Sequence, residues 1–151
     1  FRLAPGRVVR LKSAYIVEYA NHLEDDAGNV TEVHVNYFEN SKSGQDVSGI
    51  KAKGTLHWVS CAEAVNAEVR LYDRLFSESA PEANGDFMDC VNENSLEIKS
   101  NCKLEPSLAN AEVGTVYQFT RLGYFTLDKR YSTADNLVFN RAVTLKDSWK
   151  G

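Results

Sequence analysis

Two polar side chains that stand inside an apolar run have the chemistry to read a flat, hydrogen-bonding ligand. Within GTVYQFTRLGYFTLD, residues 114–128, Gln118 and Arg121 interrupt residues otherwise suited to a strand. A carboxamide both donates and accepts, and a guanidinium offers several donors in one plane. Such groups either face solvent or are held against something flat and polar. Strict alternation would send Gln118 and Arg121 to opposite faces of a strand. An isolated glycine, Gly123, predicts a bend over residues 120–123 that would let the two side chains converge. Elsewhere, Arg2, Arg7, Arg10 and Lys12 place four bases and no acid in the first twelve residues.

The net charge of −4 discourages a polyanionic partner only until its distribution is read. Residues 1–12 carry +4, residues 13–112 carry −11, and residues 113–151 carry +3. Basic ends around an acidic middle can hold a polyanion if the ends meet in space. Chance clustering on a solvated surface is the competing reading. For Arg7, Lys129, Arg130 and Arg141, nonspecific backbone contact and simple solvation are equally good.

Chemistry of other kinds has no constellation here. Neither a GxSxG elbow, nor a phosphate-cradling glycine loop before a helix, nor HExxH is present. Asp25 and Asp26 sit in a turn without the ligand ladder or closing Glu of an EF-hand. Cys61, Cys90 and Cys102 are odd in number and lack CxxC spacing, which argues against a disulfide framework or zinc site and fits a reducing cytoplasm. His22, His34 and His57 are scattered through strand-like segments without ligand spacing. Apolar runs are far shorter than the ~20 residues needed to span a bilayer, and no secretory leader is read at the start. Phe1 at the start and a lone Met88 predict a piece of a longer protein.

The elements that must position these groups read as strands. At 151 residues, with 43% hydrophobic and 25% charged residues, the chain can build a real core. Residues 7–19 have strand composition. Gly28 in DDAGNV predicts a hairpin turn, and residues 30–38 alternate cleanly. Further strands are expected at 50–60, 67–76, 95–105, 114–128 and 137–145. Polar loops fall at 39–49 and 77–85, a short helix capped by Asp86 follows, and one helical turn is expected within 105–114. Residues 146–151 read as a frayed end. Many short strands with fragments of helix indicate an all-β barrel or sandwich.

Six segments then become specific in combination: APGRVVRLKSAY, KGTLHWVS, AEVRLYDRLF, EPSL, YQFTRLGYFTLD and VFNRAVTLKDSW, in this order. Together they closely resemble the C-terminal anticodon-binding region of glutaminyl-tRNA synthetases, from Arg2 to Trp149. The resemblance implies ribosomal-protein-like β-barrels, with residues 1–95 forming a distal anticodon-binding barrel. Residues 96–151 would then supply strands of a proximal barrel whose first half lies upstream.

The same resemblance implies that the chain is part of a glutamine–tRNA ligase, a class I aminoacyl-tRNA synthetase, and carries no catalytic site itself. ATP and Mg would be handled by the upstream catalytic domain, with no cofactor in this stretch. The implied partners are the anticodon loop of glutamine tRNA and that catalytic domain, with no membrane and no DNA. Arg2 matches the arginine that contacts the third anticodon base, a guanine. Arg10 and Lys12 match the basic pair around the first base and its phosphate, although Lys12 stands where relatives carry arginine. Gln118 and Arg121 match the pair reading the central uracil. Phe1 departs from the family's lysine. Two other classes remain open: a β-barrel adaptor for proteins, and a ribosomal-type barrel binding structured rRNA.

Overall fold

The computed structural model describes residues 2–145; Phe1 and the expected frayed end at 146–151 lie outside the described residues, as does the Asn84 side chain. The fold is all-β, with nine strands among the described residues and only short 3-10 segments between them. Two compact units divide the chain, Phe1–Trp58 and Val59–Gly151.

The first unit holds β1 (Val8–Leu11), β2 (Ile16–Glu24), β3 (Val30–Tyr37) and β4 (Thr55–Leu56) in the order β3-β2-β1-β4. The single strand expected over residues 7–19 is two strands. The chain reverses between them through Ser13 at φ 60°, and the Ala14 amide donates to Leu11 O at 3.0 Å. β1 and β2 pair antiparallel, with Val9 opposite Val17. Gly28, at φ 78°, closes the β2–β3 hairpin where the sequence predicts it. The Asp25 carboxylate secures that turn by accepting from the amides of Ala27 and Asn29.

Of the strand expected over 50–60, only the two residues of β4 pair with β1, in parallel. Arg10 N donates to Gly54 O at 2.9 Å and Lys12 N to Leu56 O at 2.8 Å. Val9, Ile16 and Val17 are the buried apolar residues of this unit.

The second unit holds β5 (Val65–Tyr72), β6 (Leu96–Leu104), β7 (Val116–Phe119), β8 (Gly123–Leu127) and β9 (Leu137–Val143), in the order β6-β5-β9-β8-β7. β5 and β9 run parallel, and the other neighbours are antiparallel. Its core is larger: Ala67, Val69, Leu104, Phe125, Leu127 and Phe139 form one buried cluster, flanked by Tyr117 and Phe119. Phe119 stacks on Phe125 at 4.2 Å, and Tyr117 meets Phe139 edge-on at 6.1 Å. Each fully buried aromatic side chain contributes roughly 1.5–3 kcal/mol through removal from water.

The units part at Trp58/Val59, whereas the expected domain boundary near residue 95 falls inside the second unit, just before β6. The reason is pairing: β6 lies against β5 from Val65–Leu104 to Tyr72–Leu96. The expected short helix at Asp86 is a 3-10 turn, Phe87–Cys90, with Met88 N donating to the Asp86 carboxylate at 2.9 Å. Pro106–Asn110 supplies the other expected turn.

Candidate nucleic-acid interface

Gln118 lies in β7, the edge strand of the second sheet. Alternation puts Tyr117 and Phe119 inward, half-buried against the aromatic core, and leaves Val116 and Gln118 exposed. Directly opposite Gln118 on β8 is Tyr124, also exposed. Opposed residues on neighbouring strands have Cβ atoms about 5 Å apart, so a carboxamide and an aromatic ring share one patch of sheet surface.

Arg121 is not in a strand. The expected continuous strand over 114–128 is a hairpin, and residues 120–122 make its turn, closed by Leu122 N donating to Phe119 O at 2.9 Å. Arg121 takes φ 67°, an uncommon conformation outside glycine. The bend predicted at Gly123 is therefore a full reversal that ends at that glycine. Gly123 has φ 146°, and a Cβ there would meet Val143 O at 2.5 Å, so β9 approaches it too closely for any side chain. Gln118 and Arg121 thus sit three residues apart at one end of one hairpin, both exposed.

The other three residues belong to the first unit. Arg2 is exposed and lines a cavity of about 440 Å³ together with Arg7, Lys51 and Lys53. Arg10, on β1, is half-buried and engaged. Its Nη1 donates to Ser41 O at 2.6 Å and Ala14 O at 3.3 Å, while Nη2 pairs with the Asp46 carboxylate.

Asp46 is held below the ordinary carboxylate range chiefly by hydrogen bonds from the Ser48 hydroxyl and amide, with Arg10 adding to them. Ser41 is fully buried, accepting from Ile16 N at 2.7 Å and donating to Phe38 O at 2.6 Å. Arg10 and Ser41 therefore fasten the 39–49 loop to the sheet. Three of Arg10's five N–H donors are used there, which leaves two. Lys12 is exposed one residue past β1, and its carbonyl accepts from Trp58 Nε1 at 3.0 Å.

The basic pair Lys129 and Arg130 stands exposed in the turn after β8. Desolvation pushes the buried Asp128 carboxyl up. Hydrogen bonds from Asn140, Tyr131 N and Arg130 N, with the Arg70 charge, outweigh it and leave the group below its ordinary range. In this turn the Tyr131 ring meets two guanidinium groups, Arg70 at 4.2 Å from the ring centroid and Arg130 at 5.3 Å. Among the described residues no three His, Cys, Asp or Glu side chains gather to hold a metal ion, and no helix is long and apolar enough to cross a membrane.

A family model described as tRNA synthetases class I (E and Q), anti-codon binding domain, matches residues 55–128. The glutamine–tRNA ligase of Enterobacter sp. (strain 638) is 49% identical over 148 residues, 98% of this chain and 26% of that protein. That of Citrobacter koseri is 50% identical over 149 residues, again 98% of this chain and 26% of the relative. That of Bordetella avium is 49% identical over 151 residues, 99% of this chain and 25% of the relative. The chain belongs to the anticodon-binding region of the glutamine–tRNA ligase family. It spans about a quarter of the length of these relatives.

Within this anticodon-binding region, sequence reasoning passed over Tyr124, Lys51 and Lys53. Tyr124 needed the hairpin register to be seen beside Gln118. Lys51 and Lys53 were hidden by the strongly acidic balance of residues 13–112, which averages away a local pair of bases. The usable signal was KAK at 51–53, where alternation sets both lysines on one side of an extended segment.

Proposed function

We propose that this chain reads the anticodon loop of glutamine tRNA on behalf of a cytoplasmic glutamine–tRNA ligase. The ATP- and Mg-dependent activation of glutamine and its loading onto tRNA belong to an upstream catalytic domain. The observation that carries this reading is an identity near one half to such ligases, sustained over nearly the whole chain. We assign the first and second units to the distal and proximal barrels of that architecture.

Sequence-specific RNA recognition works on splayed loop bases whose pairing edges are open to side chains. Arg2 presents a fork to the acceptors on the edge of a third-position guanine. Gln118 donates to and accepts from the central uracil, with Arg121 supplying donors from the adjoining turn. Lys12 meets the first base and its phosphate as a point charge. Arg10 holds the 39–49 loop and directs its two remaining N–H groups to the same nucleotide.

The exposed position of Gln118 on a strand backed by an aromatic core supports its role, because a rigid frame fixes hydrogen-bond geometry. The test titrates wild-type and anticodon-substituted tRNAs against the full-length protein. Arg2→Ala and Arg121→Ala are each expected to remove about 1–3 kcal/mol of discrimination at one base and leave the others unchanged. Equal losses for every base change would remove these roles. Binding indifferent to RNA altogether would favour a protein-docking barrel.

A further inference from the structure

We infer that the cavity of the first unit lined by Arg2, Arg7, Lys51 and Lys53 is a phosphate-binding subsite. It grips the RNA backbone beside the base that Arg2 reads. The inference rests on the reading of this chain as an anticodon binder, and extends it to three residues with no assigned part in that function.

The cavity is about 440 Å³ in volume, and among the described residues no carboxylate lines it. Its cations come from two segments that pairing brings together. Arg7 leads directly into β1, and the segment carrying Lys51 and Lys53 runs into β4, which pairs parallel to β1 from Arg10–Thr55. Gly54 O accepts from Arg10 N, which fixes Lys53 at the upstream end of that pairing. Val8 and Val9 form the apolar part of the wall, and Val9 is buried. Low-dielectric walls focus the field of charges around them.

The contrast with Arg10 gives the inference its direction. Three residues beyond Arg7, Arg10 is neutralised by Asp46 and bonded to two carbonyls. Among the described residues, no ion pair or side-chain hydrogen bond engages Arg2, Arg7, Lys51 or Lys53. Four like charges around one hollow repel each other, and among the described residues no carboxylate lines it, the nearest in register being Glu18, opposite Val8 on β2. An anion entering the hollow relieves that repulsion.

Phosphodiester oxygens suit the site better than a base edge. Lysine ammoniums are compact point charges without a fixed fork, so they favour concentrated negative charge over a directional pattern. Phosphate contacts set register and orientation without reading sequence. A grip beside Arg2 would hold the strand while that guanidinium meets its base.

The experiment uses the full-length protein and glutamine tRNA, with affinity followed as a function of KCl concentration. The Lys51→Ala/Lys53→Ala variant is expected to flatten the slope of log Kobs against log salt by about 0.7 for each phosphate no longer neutralised. That corresponds to an affinity drop on the order of fivefold for each such phosphate at 0.1 M salt. The drop should be equal for cognate and anticodon-substituted tRNAs, and Lys51→Arg/Lys53→Arg should keep wild-type affinity and slope.

An unchanged slope in a variant with wild-type thermal unfolding would overturn the inference. So would a loss confined to one anticodon base, or an arginine pair as weak as the alanine pair. If the double alanine variant fails to fold, Lys51→Gln and Lys53→Gln made singly give the same readout. Wild-type protein that ignores anticodon substitutions would instead end the functional reading, and the slope comparison would still decide the subsite.

Discussion

Two hairpins of similar sequence pattern behave differently in this molecule. β3 alternates apolar with polar residues and β7 sets Gln118 among apolar ones, and both β2–β3 and β7–β8 are antiparallel hairpins closed by short turns. In β7–β8 one face is backed by Phe125 and Phe139, and the opposite face offers Gln118 and Tyr124. In β2–β3 only the start of β2 is buried, at Ile16 and Val17, while every residue of β3 is exposed, apolar Val33, Val35 and Tyr37 included, as is Leu23 of β2. Alternation therefore identifies a strand and divides its faces, but a second layer decides whether either face has an inside. The functional consequence follows from stiffness. Gln118 and Arg121 stand on a frame held by packed aromatic rings, whereas Arg10 keeps its place through the polar contacts of a loop.

The sharpest way to break that contrast is to remove the backing. Phe139 is fully buried and touches Tyr117 and Phe119 from behind β7. Phe139→Ala is expected to cost about 3–5 kcal/mol in urea unfolding, through forfeited transfer energy and the cavity left behind. Under conditions where the variant is still folded, discrimination at the base assigned to Gln118 should fall while the contribution of Arg2 is retained. Retained Gln118 discrimination would mean that the frame does not set its geometry.

A second comparison uses the glycines of the two hairpins. Gly28 and Gly123 both have positive φ, at 78° and 146°, but a Cβ on Gly28 meets nothing within 4 Å, while one on Gly123 meets Val143 O at 2.5 Å. Gly28→Ala should cost about 1–2 kcal/mol, the ordinary penalty of a left-handed alanine. Gly123→Ala adds a backbone clash to a similar strain and should cost on the order of 3 kcal/mol. Thermal melts of the two variants measure the difference directly, and equal costs would mean that β9 can yield to admit the methyl group.

The same turns show what could be read before the fold was known. The reversal at Gly28 was legible because glycine announces a positive φ. Two other reversals fall inside stretches with the composition of continuous strand, residues 7–19 and 114–128. Each is made by a non-glycine residue at positive φ, Ser13 at 60° and Arg121 at 67°. Composition gives no warning of such a residue, since the surrounding pairings impose the conformation. The Asp86 cap and the Pro106 turn were legible because their chemistry is local.

The site divides along the same line. Arg2, Arg10, Lys12, Gln118 and Arg121 could be named from sequence through family resemblance. The engagement of Arg10 with Asp46, 36 residues away, could not, because a long-range ion pair leaves no spacing signature. The gathering of Lys51 and Lys53 with Arg7 was equally hidden, since it depends on the parallel β1–β4 pairing.

The smallest expected effect tests the weaker half of the hairpin contrast. Val33 lies in β3 opposite His22, and the edge strand leaves it 44% exposed. Threonine keeps the β-branch and the shape of valine, so strand propensity is nearly unchanged. In a core, the same change would bury a hydroxyl and cost well over about 1 kcal/mol. Here water still reaches the side chain, so Val33→Thr should alter stability by no more than about 0.5 kcal/mol. A loss of about 1 kcal/mol or more in urea unfolding would show that this face of β3 is covered by another surface in solution. The contrast between the two hairpins would then narrow, because β3 would have a covered face as the start of β2 already has at Ile16 and Val17.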